Sequence, residues 1–252
     1  MELNLLPYNT KIDRKSFKTH MKGLYLFIIG ISLTFSAQAA GNQKYLSYFS
    51  TLTIQSANTA LYDNQLNDEE KEVILWTNLV RIDPINFSVM LRQYFQDHSG
   101  FQLKGTYEQS LMNDLKNSTV LNLLYATPLL NSNAYKHAIY SQTTKIRGHD
   151  NFDQRAQSAF DEQYTAYGEN CAYYVNDALH SVICLLVDKN VSDLGHRKII
   201  LDNNYNEIGV SVLPYYSNLS KVVIQEFGKS KNANYFAKKI YSPTIVTTET
   251  MS

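Results

Sequence analysis

Apolar residues recur every three or four positions through the first two thirds of the chain and every second position near its end. This pattern predicts helices first and strands last. The first clear helix opens at Asn67 and Asp68, which can cap it. Glu69 and Glu70 come next, where the positive end of the helix dipole favours acids. Val73, Trp76, Leu79 and Val80 form its apolar stripe, and Pro84 ends it at Asp83. Pro84 can itself open a second helix, since its missing N–H is one that a helix start leaves unpaired. Phe87, Leu91, Tyr94 and Phe95 share that helix's apolar face. Tyr107, Leu111 and Leu115 mark a third, short helix.

The stretch from Leu130 to Ile146 is largely polar, yet Leu130, Ala134, Ala138 and Ser141 fall on one helical face, and small residues there let another backbone approach closely. A loop from Gly148 to Gly168, holding a short helix over Arg155–Phe160, leads to a strand at Asn170–Val175. Asp177 caps an apolar helix, Ala178–Asp188, with Leu179, Val182, Ile183 and Leu186 inward. Ile208, Val210 and Val212 alternate with polar residues, as do Val222 and Ile224, and Pro214 and Asn218 mark the turn of this hairpin. Helices followed by an antiparallel hairpin predict an α+β layered domain rather than a βαβ fold.

The flanks have a different character. Leu24–Phe35 is an apolar run with Lys22 before it and Ala37 and Ala39 after it, the parts of a secretory leader. It is shorter than the roughly 20 apolar residues that span a bilayer, so no stable membrane span is expected once the leader is cleaved. Met21 directly precedes Lys22 and offers a second possible start. The sequence thus divides into a leader region over 1–40, a polar lead-in over 41–66, one domain over 67–228 and a polar tail over 229–252. Lys and Arg number 23 and so do Asp and Glu, a balance that argues against nucleic acid as a partner, because phosphate binding needs clustered positive charge. Export permits a disulfide between Cys171 and Cys184 without requiring one.

Three segments combine a glycine with a titratable residue in a loop or at an element end: Gly148-His149-Asp150, Gly168-Glu169-Asn170 and Gly195-His196-Arg197. Imidazole titrates near neutrality and is the commonest ligand of zinc-like ions. No His-Glu-x-x-His, no Gly-x-Ser-x-Gly and no phosphate-binding glycine loop is present. Cys184 lies in the apolar run of a helix, where thiols are usually inert. Each residue also has a structural reading. Either histidine could be packing, Glu169 and Asn170 could brace a loop, Asp188 could simply end its helix with Asp193 in its place, and Arg197 could be a surface or salt-bridge residue.

The order of these segments resembles the CAP superfamily of cysteine-rich secretory proteins, antigen 5 and pathogenesis-related 1 proteins, in its compact bacterial branch. Leu79-Val80-Arg81-x-x-Pro84 is similar to the family's opening helix, Ile208-Gly209-Val210 to an inner strand, and Val223-Ile224-Gln225-Glu226-Phe227-Gly228 to its closing strand. The resemblance implies a three-layer α-β-α sandwich with a small antiparallel sheet and a cleft lined by two histidines and two acids. His149, Glu169 and His196 match three of those positions. Asp188 takes the fourth, where many members carry Trp-x-x-Glu; here Leu185 replaces the Trp and the acid is one methylene shorter. Asn170 joins the cleft beside Glu169.

By the same resemblance, the chain is expected to be a secreted or periplasmic protein that binds a small molecule, a lipid or an extracellular protein or glycan. A divalent metal such as zinc would sit on His149 and His196. The alternative is a metal-assisted hydrolase with Glu169 as catalytic base.

Overall fold

The computed structural model describes residues 39–160 and 163–232. The apolar run at 24–35 and most of the C-terminal tail lie outside these residues. Helices α1 (Ala39–Leu46) and α2 (Thr51–Ala57) occupy the lead-in segment. Ser50 caps α2, its hydroxyl accepting from the Thr53 N–H at 3.1 Å. Tyr45, Phe49, Ala57, Ala60 and Leu66 are buried in the main core. These anchors are spaced too irregularly to form a stripe, which is why the segment reads as merely polar.

Three helices come next: α3 (Asp68–Ile82), α4 (Pro84–Asp97) and α5 (Thr106–Asn117). The start of α3 is a capping box. The Asn67 side chain accepts from the N–H groups of Glu69 and Glu70, and the Glu70 carboxylate accepts from the Asn67 N–H. Pro84 occupies the first turn of α4, with Asp83 accepting from the Asn86 N–H. Beyond them lie β1 (Tyr125–Ala126), α6 (Pro128–Thr144), α7 (Phe152–Phe160), β2 (Tyr164–Val175), α8 (Ala178–Val187), α9 (Gly195–Ile200), β3 (Glu207–Tyr215) and β4 (Ser217–Ser230). The strand β2 starts six residues earlier than the sequence pattern places it. Its first part pairs with the polar end of β4, Tyr164 with Ser230 and Ala166 with Lys229, where alternating burial gives no signal. For the same reason β4 runs past the expected boundary at 228.

The sheet order is β1-β3-β4-β2. Strands β2, β4 and β3 are antiparallel, while β1 adds a two-residue parallel edge to β3, so the sheet is mixed rather than wholly antiparallel. A two-residue strand is too short to show any periodicity. Alternation divides the sheet into two faces. Cys171, Val222 and Ile224 pack with Ala134 and Ala138 of α6 on one side. Ala172, Val210, Val212, Val223 and Phe227 join α3, α4 and α8 in the larger core on the other. Helix, sheet and helix make the three layers. Cys171 and Cys184 are both free and belong to opposite sides of the sheet.

The small-residue face of α6 lies against β3 at Gly209. A methyl group there would stand 2.1 Å from the Leu130 carbonyl carbon and 2.4 Å from the Asn131 nitrogen, both backbone atoms that no rotamer change can move. On the opposite layer, Arg81 is fully buried. Its guanidinium donates to the carbonyls of Asn122, Ile200, Asp202 and Tyr205 at 2.6–3.1 Å, fixing the chain that leaves α9. Burial lowers its pKa to about 10, still leaving it charged at neutral pH.

Gly209→Ala should therefore force α6 from the sheet and cost about 1–3 kcal/mol of unfolding free energy, as overpacking does. Gly100→Ala, with open space at its Cβ, should stay within about 0.5 kcal/mol of the parent. Urea unfolding of the two variants checks the contrast.

Candidate functional site

Neighbouring residues of β2 point to opposite faces of the sheet, and each serves one of the two histidines. Glu169 faces α6 and accepts from His149 Nδ1 at 2.9 Å through Oε1. Asn170 faces the other way and donates to the His196 carbonyl oxygen and to Gln225 Oε1, both at 3.3 Å. Gln225 continues the chain to Thr77 Oγ1 on α3 at 3.0 Å. Asn170 has no solvent exposure. It is a brace beneath the site, and the expectation that it lines the cleft is corrected on that ground.

His149 is held by the turn before it. Gly148 has φ +96°, a conformation that suits glycine. Its carbonyl accepts from His137 Nε2 at 2.9 Å and from the Cys171 thiol at 3.6 Å, and its N–H donates to Tyr173 Oη at 3.0 Å. The His149 ring itself is half exposed, over a groove of about 370 Å³ lined by Asn151, Phe152, Asp153 and Gln154.

Glu169 is wholly buried at its side chain. Arg155 clamps it, with Nη1 at 2.8 Å from Oε2 and Nη2 at 3.1 Å from Oε1. Glu226 stands directly opposite on β4. Two charged carboxylates in such register would repel, so they divide the roles. Burial alone would raise Glu169, but hydrogen bonds from His149, Arg155 and Glu226 hold its pKa down at about 2. Burial and the Glu169 charge push Glu226 well above the usual carboxylate range. Glu226 is thus the protonated member and donates to Glu169, while Asn133 Nδ2 donates to Glu226 Oε1 at 2.7 Å.

The second histidine depends on the end of α8. Asp188 closes that helix in a left-handed conformation, φ 55° and ψ 43°. The chain then turns back through Asn190 and Leu194, also left-handed, into α9. Asp188 Oδ2 accepts from the N–H groups of His196 at 3.0 Å and Arg197 at 3.3 Å, while Oδ1 accepts from His196 Nδ1 at 2.7 Å. The shorter acid reaches its histidine directly because the helix end brings its backbone against α9. Asp188, not Asp193, holds this position. Arg197 is not at the surface: it is buried, donates to the Leu186 and Val187 carbonyls, and pairs with Asp114 at 2.9 Å.

The two imidazoles lie with ring centroids 6.2 Å apart and planes inclined by 31°. Each donates its Nδ1 proton to a carboxylate, which leaves a lone pair on each Nε2. Neither Nε2 has a protein partner among the described residues. A carboxylate on the far nitrogen is the usual outer support of a metal-binding histidine. The ring separation suits two nitrogens each about 2.1 Å from one ion. His149 and His196 could therefore hold a divalent ion with its remaining positions open. A second group, His137, Glu169 and Cys171, brings donor atoms within 4.8 Å of one another. Its His137 Nε2 and Cys171 thiol are spent on the Gly148 carbonyl, as a brace for the turn, while His137 Nδ1 is buried without a hydrogen-bond partner.

The family resemblance groups His149, Glu169, Asp188 and His196; Arg155, Glu226, His137 and Asn133 join the site only through the structure. His137 and Asn133 fall within the small-residue face of α6, where polar side chains among alanines were the available signal. Glu226 becomes visible only through strand register.

Replacing Glu226 with Gln keeps a donor toward Glu169 and removes a titrating group. In the parent, the stability due to protonated Glu226 is complete below its unfolded pKa of about 4.5 and is lost as pH rises toward the higher folded value. The contribution of Glu169 runs the other way, present above about 4.5 and lost as pH falls toward about 2. The stability of Glu226→Gln relative to the parent should therefore increase from about pH 5 to pH 8. Urea unfolding at a series of pH values reads this directly, and a constant difference would contradict it.

Residues 109–227 match the family model described as the cysteine-rich secretory protein family, CAP. No curated protein matches the chain at a significant level. Among solved structures, an outer surface protein of Borrelia burgdorferi is 20% identical, with 50% of this chain and 90% of that one covered and a TM-score of 0.36. An extracellular protein of Bacillus anthracis containing an SCP domain is also 20% identical, at a TM-score of 0.35; the match takes in 49% of this chain but only 38% of that one. A cysteine-rich secretory protein of Staphylococcus aureus gives 20% identity, 49% and 36% coverage and a TM-score of 0.34. Residues 109–227 of this chain thus match the CAP domain of the cysteine-rich secretory protein family.

Proposed function

We propose that this is an exported binding protein whose His149–His196 cleft takes up a ligand or partner, with a divalent metal such as zinc on the two imidazoles. One observation carries the reading. Two histidines, each locked by a carboxylate on Nδ1, stand 6.2 Å apart with both Nε2 atoms free and at least one ring half open to solvent. A metal there would supply an electrophilic point for a ligand's oxygen or nitrogen. The chain's own residues, Glu169 and Asp188, fix the imidazole tautomers.

Binding is favoured over hydrolysis by the state of Glu169. A general base needs access to the proton it removes and a pKa near the working pH. Glu169 is buried, engaged on both oxygens by His149 and Arg155, and held near 2. Nor is a thiol nucleophile available, since burial pushes Cys171 well above its ordinary range and Cys184 up to about 12. Export is supported by the leader-like run at 24–35 and by the secretory character of the matching family. Among the described residues no helix is long and apolar enough to cross a membrane. The ligand class stays with small molecules, lipids, extracellular proteins or glycans.

Zinc titration by calorimetry tests the reading. His149→Ala and His196→Ala should each abolish measurable binding, and Asp188→Asn should weaken it by roughly 10–100-fold through loss of the outer support. Unchanged affinity in the His149→Ala/His196→Ala double variant would sink the metal assignment. Turnover of a peptide, ester or glycan panel that vanishes with chelator and with Glu169→Gln would reinstate the hydrolase.

A further inference from the structure

A second surface, sharing no residue with the cleft, forms where the end of α6, the end of β2 and the β3–β4 turn meet. Tyr174 and Tyr216 stack with centroids 5.7 Å apart and planes at 19°. Lys145 Nζ lies 4.5 Å over the Tyr216 ring, and the Arg147 guanidinium 5.7 Å over that of Tyr174. Tyr215, beneath them, donates its hydroxyl to the Lys145 carbonyl at 3.1 Å. Four of the molecule's exposed large apolar side chains belong to these three segments: Ile146 at 45%, Tyr174 at 53%, Tyr216 at 60% and Leu219 at 85%.

The backbone is unusual here as well. Seven described residues other than glycine have positive φ, and Lys145, Tyr174 and Tyr216 are three of them, at 60–64°. Bulky side chains adopt this conformation only where the surroundings impose it. The hairpin and the helix end are thus held in a shape that turns aromatic and cationic side chains outward.

Charge and chemistry point to one occupant. Neither Lys145 nor Arg147 forms an ion pair among the described residues; their partners are rings. The ring faces are engaged by cations and by each other, which leaves little platform for a stacked sugar. What the surface offers to solvent is two exposed tyrosines, two positive charges and the aliphatic side chains of Ile146 and Leu219. Tyrosines sit at the headgroup level of bilayers, aliphatic side chains enter the acyl boundary, and cations meet anionic lipid phosphates. We propose that this surface docks the domain on an anionic lipid bilayer.

Amide hydrogen exchange on the full chain tests this, because it reads the surface itself and is not imitated by binding through another segment. Vesicles of phosphatidylcholine are compared with vesicles that also contain phosphatidylglycerol. Exchange at residues 146–147 and 216–219 should slow with the anionic vesicles alone. Lys145→Glu/Arg147→Glu should abolish that protection, since loss of each cation lowers partitioning by roughly fivefold and the reversed charges repel. Leu219→Ser, on an exposed tip, should weaken it without altering the fold. Unchanged exchange with anionic vesicles, equal protection on phosphatidylcholine alone, or full protection in the charge-reversed variant would each overturn the proposal.

Discussion

A carboxylate that stays ionised inside the protein is the constraint around which this site is arranged. Isolated charges are too costly to bury, and Glu169 is made tolerable by three neighbours at once: the Arg155 clamp, the His149 Nδ1 proton and the proton held by Glu226. Each has a structural consequence. Arg155 ties α7 to the sheet. His149 is held at Nδ1 with its ring half exposed. Glu226 is kept neutral by burial and by the Glu169 charge, while Asn133, brought close by the seating of α6 that Gly209 permits, satisfies its Oε1.

The other half of the cleft rests on a different device. Asp188 spends one oxygen on two backbone N–H groups at the start of α9 and the other on His196. Helix capping and histidine orientation are thus one act, performed by a side chain of the right length because the left-handed helix end places it close. The two halves meet through consecutive residues of β2, with Glu169 serving one layer and Asn170 the other. A one-residue slip of β2 against β4 would exchange their faces and unmake both.

Much of this was legible in the sequence where local chemistry decides the outcome. The caps at Asn67 and Asp177, the Pro84 break and the alternation in β3 and β4 obey short-range rules. The grouping of His149, Glu169, Asp188 and His196 is what the resemblance to the CAP superfamily implies, since their spacing alone joins none of them. The unread features depend on pairing between distant strands or on sparse contacts. Glu226 becomes significant only when register sets it opposite Glu169, Arg155 only when α7 lies over β2, and β1 is too short to announce itself. Arg197, read as a surface or salt-bridge residue, is the second of these: it pairs with Asp114 and is buried among backbone carbonyls. The segment before Asn67 read as polar because its few anchors, Tyr45 and Phe49 among them, are irregularly spaced.

The central claim is that two carboxylates fix both cleft imidazoles with the proton on Nδ1 and the lone pair on Nε2. Long-range proton–nitrogen NMR correlation of the histidine rings measures this directly in the metal-free protein, above the pH at which the rings are protonated. The account predicts that His149 and His196 both appear as the Nδ1–H tautomer, and that Asp188→Asn releases His196 alone from it. Finding either ring in the Nε2–H form in the parent protein would contradict the account.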